Sequence, residues 1–189
     1  MIGGLVRAPL LAVMLLALPA PAAASEALWD LLKGGGQVVL LRHTMTTPGV
    51  GDPPGFRLDD CASQRNLSTQ GQEDARRIGA AFRARAVPVG RVLSSRFCRC
   101  LETARLAFGR VETHPPLDNP FHDRSREPER AAAIRALAGE RPADGNLILV
   151  THGVNIQAAL GVHPAQGEMV VVTPRSHGAF EVRGRIPPP

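Results

Sequence analysis

The chain has 189 residues, of which 44% are apolar, 21% charged and 4% aromatic. That is enough apolar surface for the core of one globular domain, and it excludes collagen-like, coiled-coil and wholly disordered chains. The net charge of +5 suits an anionic ligand, but no aromatic stacking platform accompanies it and there is no Tyr at all, so nucleic acid is not an expected partner.

Residues 1–24 have the pattern of a secretory signal. Arg7 supplies the positive start, Leu10 to Leu18 is an apolar run too short to span a bilayer, and Pro19 and Pro21 break it. Ala22, Ala23 and Ala24 give the small side chains of a peptidase site, with cleavage expected after Ala24 or alternatively after Ala22. An uncleaved anchor is the weaker reading, since the apolar run is short. The expected organisation is a signal peptide at 1–24 and a single domain at 25–189. That domain is secreted or periplasmic, with no stable membrane anchor after cleavage.

Ser25 is expected to cap a short helix, Glu26 to Lys33, stopped by Gly34-Gly35-Gly36. Gln37 to Leu41 is a continuous apolar run bounded by glycine, as in a strand buried on both faces. A long loop follows, Thr44 to Leu67. Thr69 and Gln72 match a capping box opening a helix to about Arg85, with Ala75, Ile78, Ala81 and Phe82 on one face. Arg91 to Ser95 is a second strand, Phe97 to Phe108 a helix ended at Gly109, and Val111 to His114 a short strand. A second loop, Pro115 to Arg126, precedes an Ala-rich helix, Glu127 to Ala138. Asn146 to Thr151 is the third apolar strand and Val154 to Leu160 a short helix. Met169 to Thr173 and Ala179 to Val182 form a closing hairpin, and the Pro-rich end from Ile186 is expected to fray. Strands alternating with helices predict an α/β fold, a three-layer α/β/α sandwich on a mostly parallel central sheet.

Export would place the three cysteines, Cys61, Cys98 and Cys100, in an oxidising compartment. An odd count permits at most one internal bridge. Cys98 and Cys100 face different ways on a helix, so only one can meet Cys61; Cys61 with Cys98 is the favoured pair, and three unbridged buried thiols are the alternative. No CxxC or HxxxH spacing occurs, so no zinc site is expected.

Three segments share one layout, an apolar strand followed at once by polar residues: Arg42-His43, then Ser94, Ser95 and Arg99, then Thr151-His152-Gly153. Ligands of open α/β sheets bind at the carboxyl ends of the strands. Two Arg, two His and the adjacent helix N-termini would there form a pocket for a tetrahedral dianion such as phosphate. A neutral His held beside Arg charges can act as nucleophile towards phosphorus, and a second can donate to the oxygens of the transition state.

These residues resemble the histidine phosphatase superfamily, also called phosphoglycerate-mutase-like. Its strand-end Arg-His is matched by Arg42-His43. Its Ser-x-x-x-Arg-x-x-x-Thr-Ala is matched by Ser95, Arg99, Thr103 and Ala104, and its Ser/Thr-His-Gly by Thr151-His152-Gly153. Leu67-Ser68-Thr69-Gln70-Gly71 matches a helix start usual between the first two. The order agrees over nearly the whole expected domain. The resemblance implies that His43 is the phosphorylated nucleophile and that Arg42, Arg99 and His152 hold the phosphoryl group, with no metal or other cofactor. Thr44 stands where the family often has Gly, and either gives the phosphate a hydroxyl or fills space. The family's acid has no clear motif here. Asp118 and Asp123 are the candidates, Asp123 preferred, unless the acid is absent as in small members acting on phosphohistidine. Arg65 and Asn66 either touch substrate or order their loop, and His122 sits in a loop that would cover the site. The expected substrate is a small phosphorylated molecule or a phosphoprotein; the oligomeric state is not readable from the sequence. The rival readings are a catalytically weak phosphate- or anion-binding envelope protein that keeps the pocket, and an envelope protein binding anionic polymers through Arg.

Overall fold

The computed structural model describes residues 21–49, 51–121 and 123–188. The expected signal segment before residue 21 lies outside them, as does His122. No described helix is long and apolar enough to cross a membrane.

The strands are β1 (Val38–Arg42), β2 (Val89–Ser94), β3 (Glu112–Thr113), β4 (Asn146–Thr151), β5 (Met169–Pro174) and β6 (Phe180–Ile186). The helices are α1 (Pro21–Lys33), α2 (Thr69–Ala84), α3 (Cys98–Phe108), α4 (Glu127–Gly139) and α5 (Gly153–Leu160). The sheet runs β3-β2-β4-β1-β5-β6. β1, β2, β3 and β4 are parallel, and the β5–β6 hairpin adds antiparallel to β1. The mostly parallel three-layer sandwich expected from the strand–helix alternation is what forms.

Side chains alternate across a strand, and here both faces of the inner strands meet helices. Val39 and Leu41 of β1 join Ile148 and Val150 of β4 under Leu32 of α1, Ile78 and Phe82 of α2 and Ala104 of α3. Val38 and Leu40 join Leu147 and Leu149 on the other face, under Ile134 of α4 and Ile156 of α5. That two-sided burial explains the apolar runs Val38 to Leu41 in β1 and Leu147 to Val150 in β4.

Several boundaries differ from expectation. α1 begins at Pro21 rather than after a Ser25 cap; Pro suits a first helical position, and Ala22 to Ala24 favour helix. The cap of α2 is Ser68, whose hydroxyl accepts the Gly71 N–H at 3.1 Å, in place of the expected Thr69 box. β6 continues to Ile186, which pairs with Met169 and is buried, so that residue is held in the sheet where the frayed end was expected to begin.

Candidate active site

β1, β2 and β4 are parallel, so their carboxyl ends lie at one edge of the sheet. His43, Ser95 and His152 are each the first residue past one of those strands. β1 and β4 are adjacent with Arg42 opposite Thr151, and the His43 N–H bonds the Thr151 carbonyl at 3.0 Å. The two imidazoles are thereby brought to 5.4 Å between ring centres.

His43 is buried, and its Nδ1 donates to the Thr44 carbonyl at 2.9 Å. That bond leaves the Nε2 lone pair for chemistry. Burial, then the Arg99 charge, push the imidazole from its ordinary value of 6.5 to about 3, with further push from Arg42 and Arg65 against the Thr44 bond. His43 is therefore a neutral imidazole at neutral pH.

His152 caps α5. Its Nε2 lies 2.9 Å from Ser95 Oγ, and Ser95 Oγ donates to Asp118 Oδ1 at 3.1 Å. A serine has one proton to give; spent on the carboxylate, it leaves Ser95 to accept from His152 Nε2–H. Burial, then Arg99, hold His152 well below the usual imidazole value. Phe97 supports both groups: its ring lies under the Arg99 guanidinium at 4.6 Å and meets the His152 ring edge-on at 5.1 Å.

Arg99, in the first turn of α3, is 1% exposed at its side chain. Its Nη1 and Nη2 donate to Asp52 at 2.7 and 3.2 Å. Arg42 donates to the Pro164 carbonyl at 2.8 Å and lies against Gly153, where a Cβ would come within 3.2 Å of its Nη1. Arg65 donates to the Gly49 carbonyl through Nη1 and offers its backbone N–H to Asp52 at 3.1 Å. Burial and the neighbouring arginine lower both Arg42 and Arg65, the mark of cations crowded together. Among the described residues, the buried side-chain polar atoms with no hydrogen-bond partner are Arg42 Nε, Arg65 Nε, Arg99 Nε and His152 Nδ1. Three are obligatory donors, and buried donors left unpaired are costly, so a cluster of them marks a place for an acceptor. No described group of His, Cys, Asp and Glu could hold a metal ion.

Four residues expected from the sequence thus converge: Arg42, His43, Arg99 and His152, with Arg65 joining them. Others are placed differently. The Thr44 hydroxyl is paired with Thr103 Oγ1 at 3.2 Å, and Thr103 in turn donates to the Arg99 carbonyl at 2.7 Å. The Thr44 hydroxyl thereby links the end of β1 to α3. Asn66 orders its loop by donating to the Cys61 carbonyl at 2.6 Å. Asp123 lies on an exposed turn, its carboxylate accepting from Ser125, and makes no hydrogen bond to the cluster. The other acid candidate, Asp118, is 2% exposed and taken up by Ser95, the Arg96 N–H at 2.7 Å and Arg96 Nε at 2.8 Å. Cys61 and Cys98 are joined in a disulfide, which ties the loop before α2 to the start of α3; Cys100 is free and buried, its thiol pushed up to about 12 by burial.

The sequence reading missed Asp52 and Asn155. Asn155 donates to the Leu117 and Asp118 carbonyls at 2.8 and 3.0 Å, pinning the loop that carries Asp118 to the end of β4. Its place one turn after the Thr-His-Gly motif was the available signal; Asp52, between Gly51 and two prolines, had none.

No protein-family model and no curated protein matches the sequence. Solved structures do resemble this one. The protein histidine phosphatase SixA, solved with tungstate, has 20% identity and a TM-score of 0.58 over 80% of this chain and 97% of that one. A phosphoserine phosphatase of Entamoeba histolytica, solved with phosphoserine, has 13% identity and a TM-score of 0.57 over 79% of this chain and 95% of that one. A putative phosphohistidine phosphatase SixA of Agrobacterium tumefaciens has 21% identity and a TM-score of 0.54 over 82% and 99%. The likeness at these identities is one of architecture, and the chain has the phosphoglycerate-mutase-like fold of the histidine phosphatases.

Proposed function

We propose that the chain is an exported phosphatase that hydrolyses phosphomonoesters, or phosphohistidine, through a phosphohistidine intermediate on His43. The observation that carries this reading is the set of unpartnered nitrogens of Arg42, Arg65, Arg99 and His152 grouped around a buried, neutral imidazole. Guanidinium donors fit the oxygens of a phosphoryl group, and the neutral imidazole is a nucleophile ready for its phosphorus. The His43 Nε2 lone pair forms the P–N bond as the leaving oxygen or nitrogen departs with its electron pair and takes a proton. Water then attacks phosphorus, the P–N pair returns to Nε2, and inorganic phosphate leaves. Arg42, Arg65 and Arg99 balance the charge in both steps. His152, oriented through Ser95 by Asp118, adds a hydrogen bond from Nδ1 once the dianion draws a proton onto the ring. Asp123 is the proposed acid for leaving groups that need one. Export rests on the signal pattern at residues 1–24.

The test is hydrolysis of p-nitrophenyl phosphate by the mature protein in the presence of chelator, beside His43→Ala, with acid quench of the wild type during turnover. Turnover lost in the variant, with an acid-labile phosphoryl adduct on His43, is expected. Phosphate binding without turnover at any pH would replace the phosphatase by the anion-binding reading.

A further inference from the structure

Asp52 belongs to none of the motifs, yet it is the carboxylate bound directly to the anion pocket. Its side chain is 2% exposed and its partner Arg99 is 1% exposed. Both terminal nitrogens of Arg99 go to it, at 2.7 and 3.2 Å, and it also accepts the Arg65 N–H at 3.1 Å. The ring closes where Arg99 Nη1 reaches the Arg65 carbonyl at 3.4 Å. A planar guanidinium gripped by both ends of its fork has no rotation left, and the donors it retains are Nε–H and the second N–H of Nη2. The Nε atoms of Arg99 and of Arg65 are the ones left without partners.

We infer that Asp52 is a positioning residue of the pocket: it locks Arg99 by its fork and Arg65 by its backbone, so that their Nε–H donors are kept for the phosphoryl oxygens. This rests on the anion pocket proposed above. Asp52 also trims the pocket's charge to three guanidiniums against one carboxylate, which matches a phosphate dianion. Two other roles fit the geometry less well. A general acid must hold a proton, and both Asp52 oxygens already accept N–H bonds from Arg99 and Arg65. A removable plug must be able to leave, whereas this loop is tied to α3 by the Cys61–Cys98 bridge.

The experiment is calorimetric titration of inorganic phosphate into the wild type, Asp52→Asn, Arg99→Lys and the double variant, with circular dichroism to establish folding. Asp52→Asn keeps the shape but sets an amide N–H against Arg99. It is expected to weaken phosphate binding on the order of tenfold, the size of one misaligned charge-assisted hydrogen bond. Lysine has no fork, so in the Arg99→Lys background the same substitution is expected to change affinity by less than about twofold, a non-additivity that a general loss of structure would not produce. If Asp52→Asn does not fold, Asp52→Glu retains the charge one methylene further out and is expected to show the same weakening. A folded Asp52 variant that binds phosphate as tightly as the wild type, or tighter, overturns the inference, as does an effect that persists undiminished beside Arg99→Lys. Normal phosphate affinity with turnover lost only for alkyl phosphates would make Asp52 an acid instead. Phosphate bound by a wild type that turns nothing over would sink the phosphatase reading while leaving Asp52 to be judged on affinity; no phosphate binding at all would sink both.

Discussion

Gly71 is expected to be intolerant of alanine, against the ordinary preference of helices. It lies in the first turn of α2, where Gly→Ala gains at most about 1 kcal/mol from helix propensity. A Cβ there would stand 1.9 Å from the Met45 carbonyl oxygen, so more than an ångström must be found before the contact reaches even 3.0 Å. The neighbour is backbone, two residues after His43, and the same carbonyl accepts the Ser68 N–H at 3.0 Å and the Ser68 hydroxyl at 3.3 Å. Overpacking costs about 1–3 kcal/mol and each lost hydrogen bond about 1 kcal/mol. Set against the propensity gain, Gly71→Ala should lose about 2 kcal/mol, a fall in Tm of roughly 4–8 °C for a domain of this size. The displacement should also reach His43 and lower kcat/KM by at least about tenfold. Gly79→Ala is the matched control. Its Cβ would come within 2.0 Å of the Ala107 carbonyl, at the end of α3 away from Arg99, so it should lose comparable stability without changing kcat/KM. The assays are urea unfolding and p-nitrophenyl phosphate kinetics on all three proteins. A Gly71→Ala protein as stable and as active as the wild type would show that propensity wins and that the loop after β1 is not held by this contact.

The neutrality of His43 makes stability depend on pH. Its pKa is lowered to about 3 in the folded state against 6.5 unfolded, so below pH 6.5 the unfolded chain takes up a proton that the folded one refuses. Stability should fall as the pH drops from 6.5 towards 3, by about 2 kcal/mol at pH 5 from this residue, and urea unfolding of His43→Gln should show a shallower slope over that window. The Cys61–Cys98 bridge closes a loop of 37 residues; a Cys61→Ser, Cys98→Ser pair should lose about 4 kcal/mol on the chain-entropy estimate, read from unfolding without reductant. Asp123→Asn should lower kcat for an alkyl phosphate at least tenfold but for p-nitrophenyl phosphate less than about threefold, since p-nitrophenolate leaves without a proton. Equal losses, or none, would remove Asp123 from the reaction.

The parts of the molecule legible in the sequence are those set by short-range rules. β4 was readable to the residue because Leu147 to Val150 is an unbroken apolar run inside a strand buried at all six positions. The convergence of Arg42, His43, Arg99 and His152 followed because parallel strands must put their carboxyl ends together. What was hidden depends on pairings distant in the chain. Asp52 meets Arg99 47 positions later, across a proline-rich loop with no periodicity. Of two adjacent hydroxyls, Ser68 rather than Thr69 became the cap of α2, at the residue whose N–H reaches the Met45 carbonyl 23 positions earlier. Asp118 and Asp123 are five residues apart in one polar loop, and composition alone could not tell that Asp118 is buried behind Ser95 while Asp123 faces solvent.

The sheet order also bears on how the molecule assembles. β1, the first strand, pairs with nothing near it in the chain; its two neighbours are β4 and β5, more than a hundred residues later. Until residues 146–174 are available, both edges of a strand whose first four residues are apolar stand open, and His43 has neither the Thr151 carbonyl nor the second imidazole beside it. Contacts of such range form late and slowly, and an open apolar edge invites pairing with other chains. His43 and its surroundings therefore come together only after β4 is available, and a chain stopped short of β4 lacks both the Thr151 carbonyl and the second imidazole.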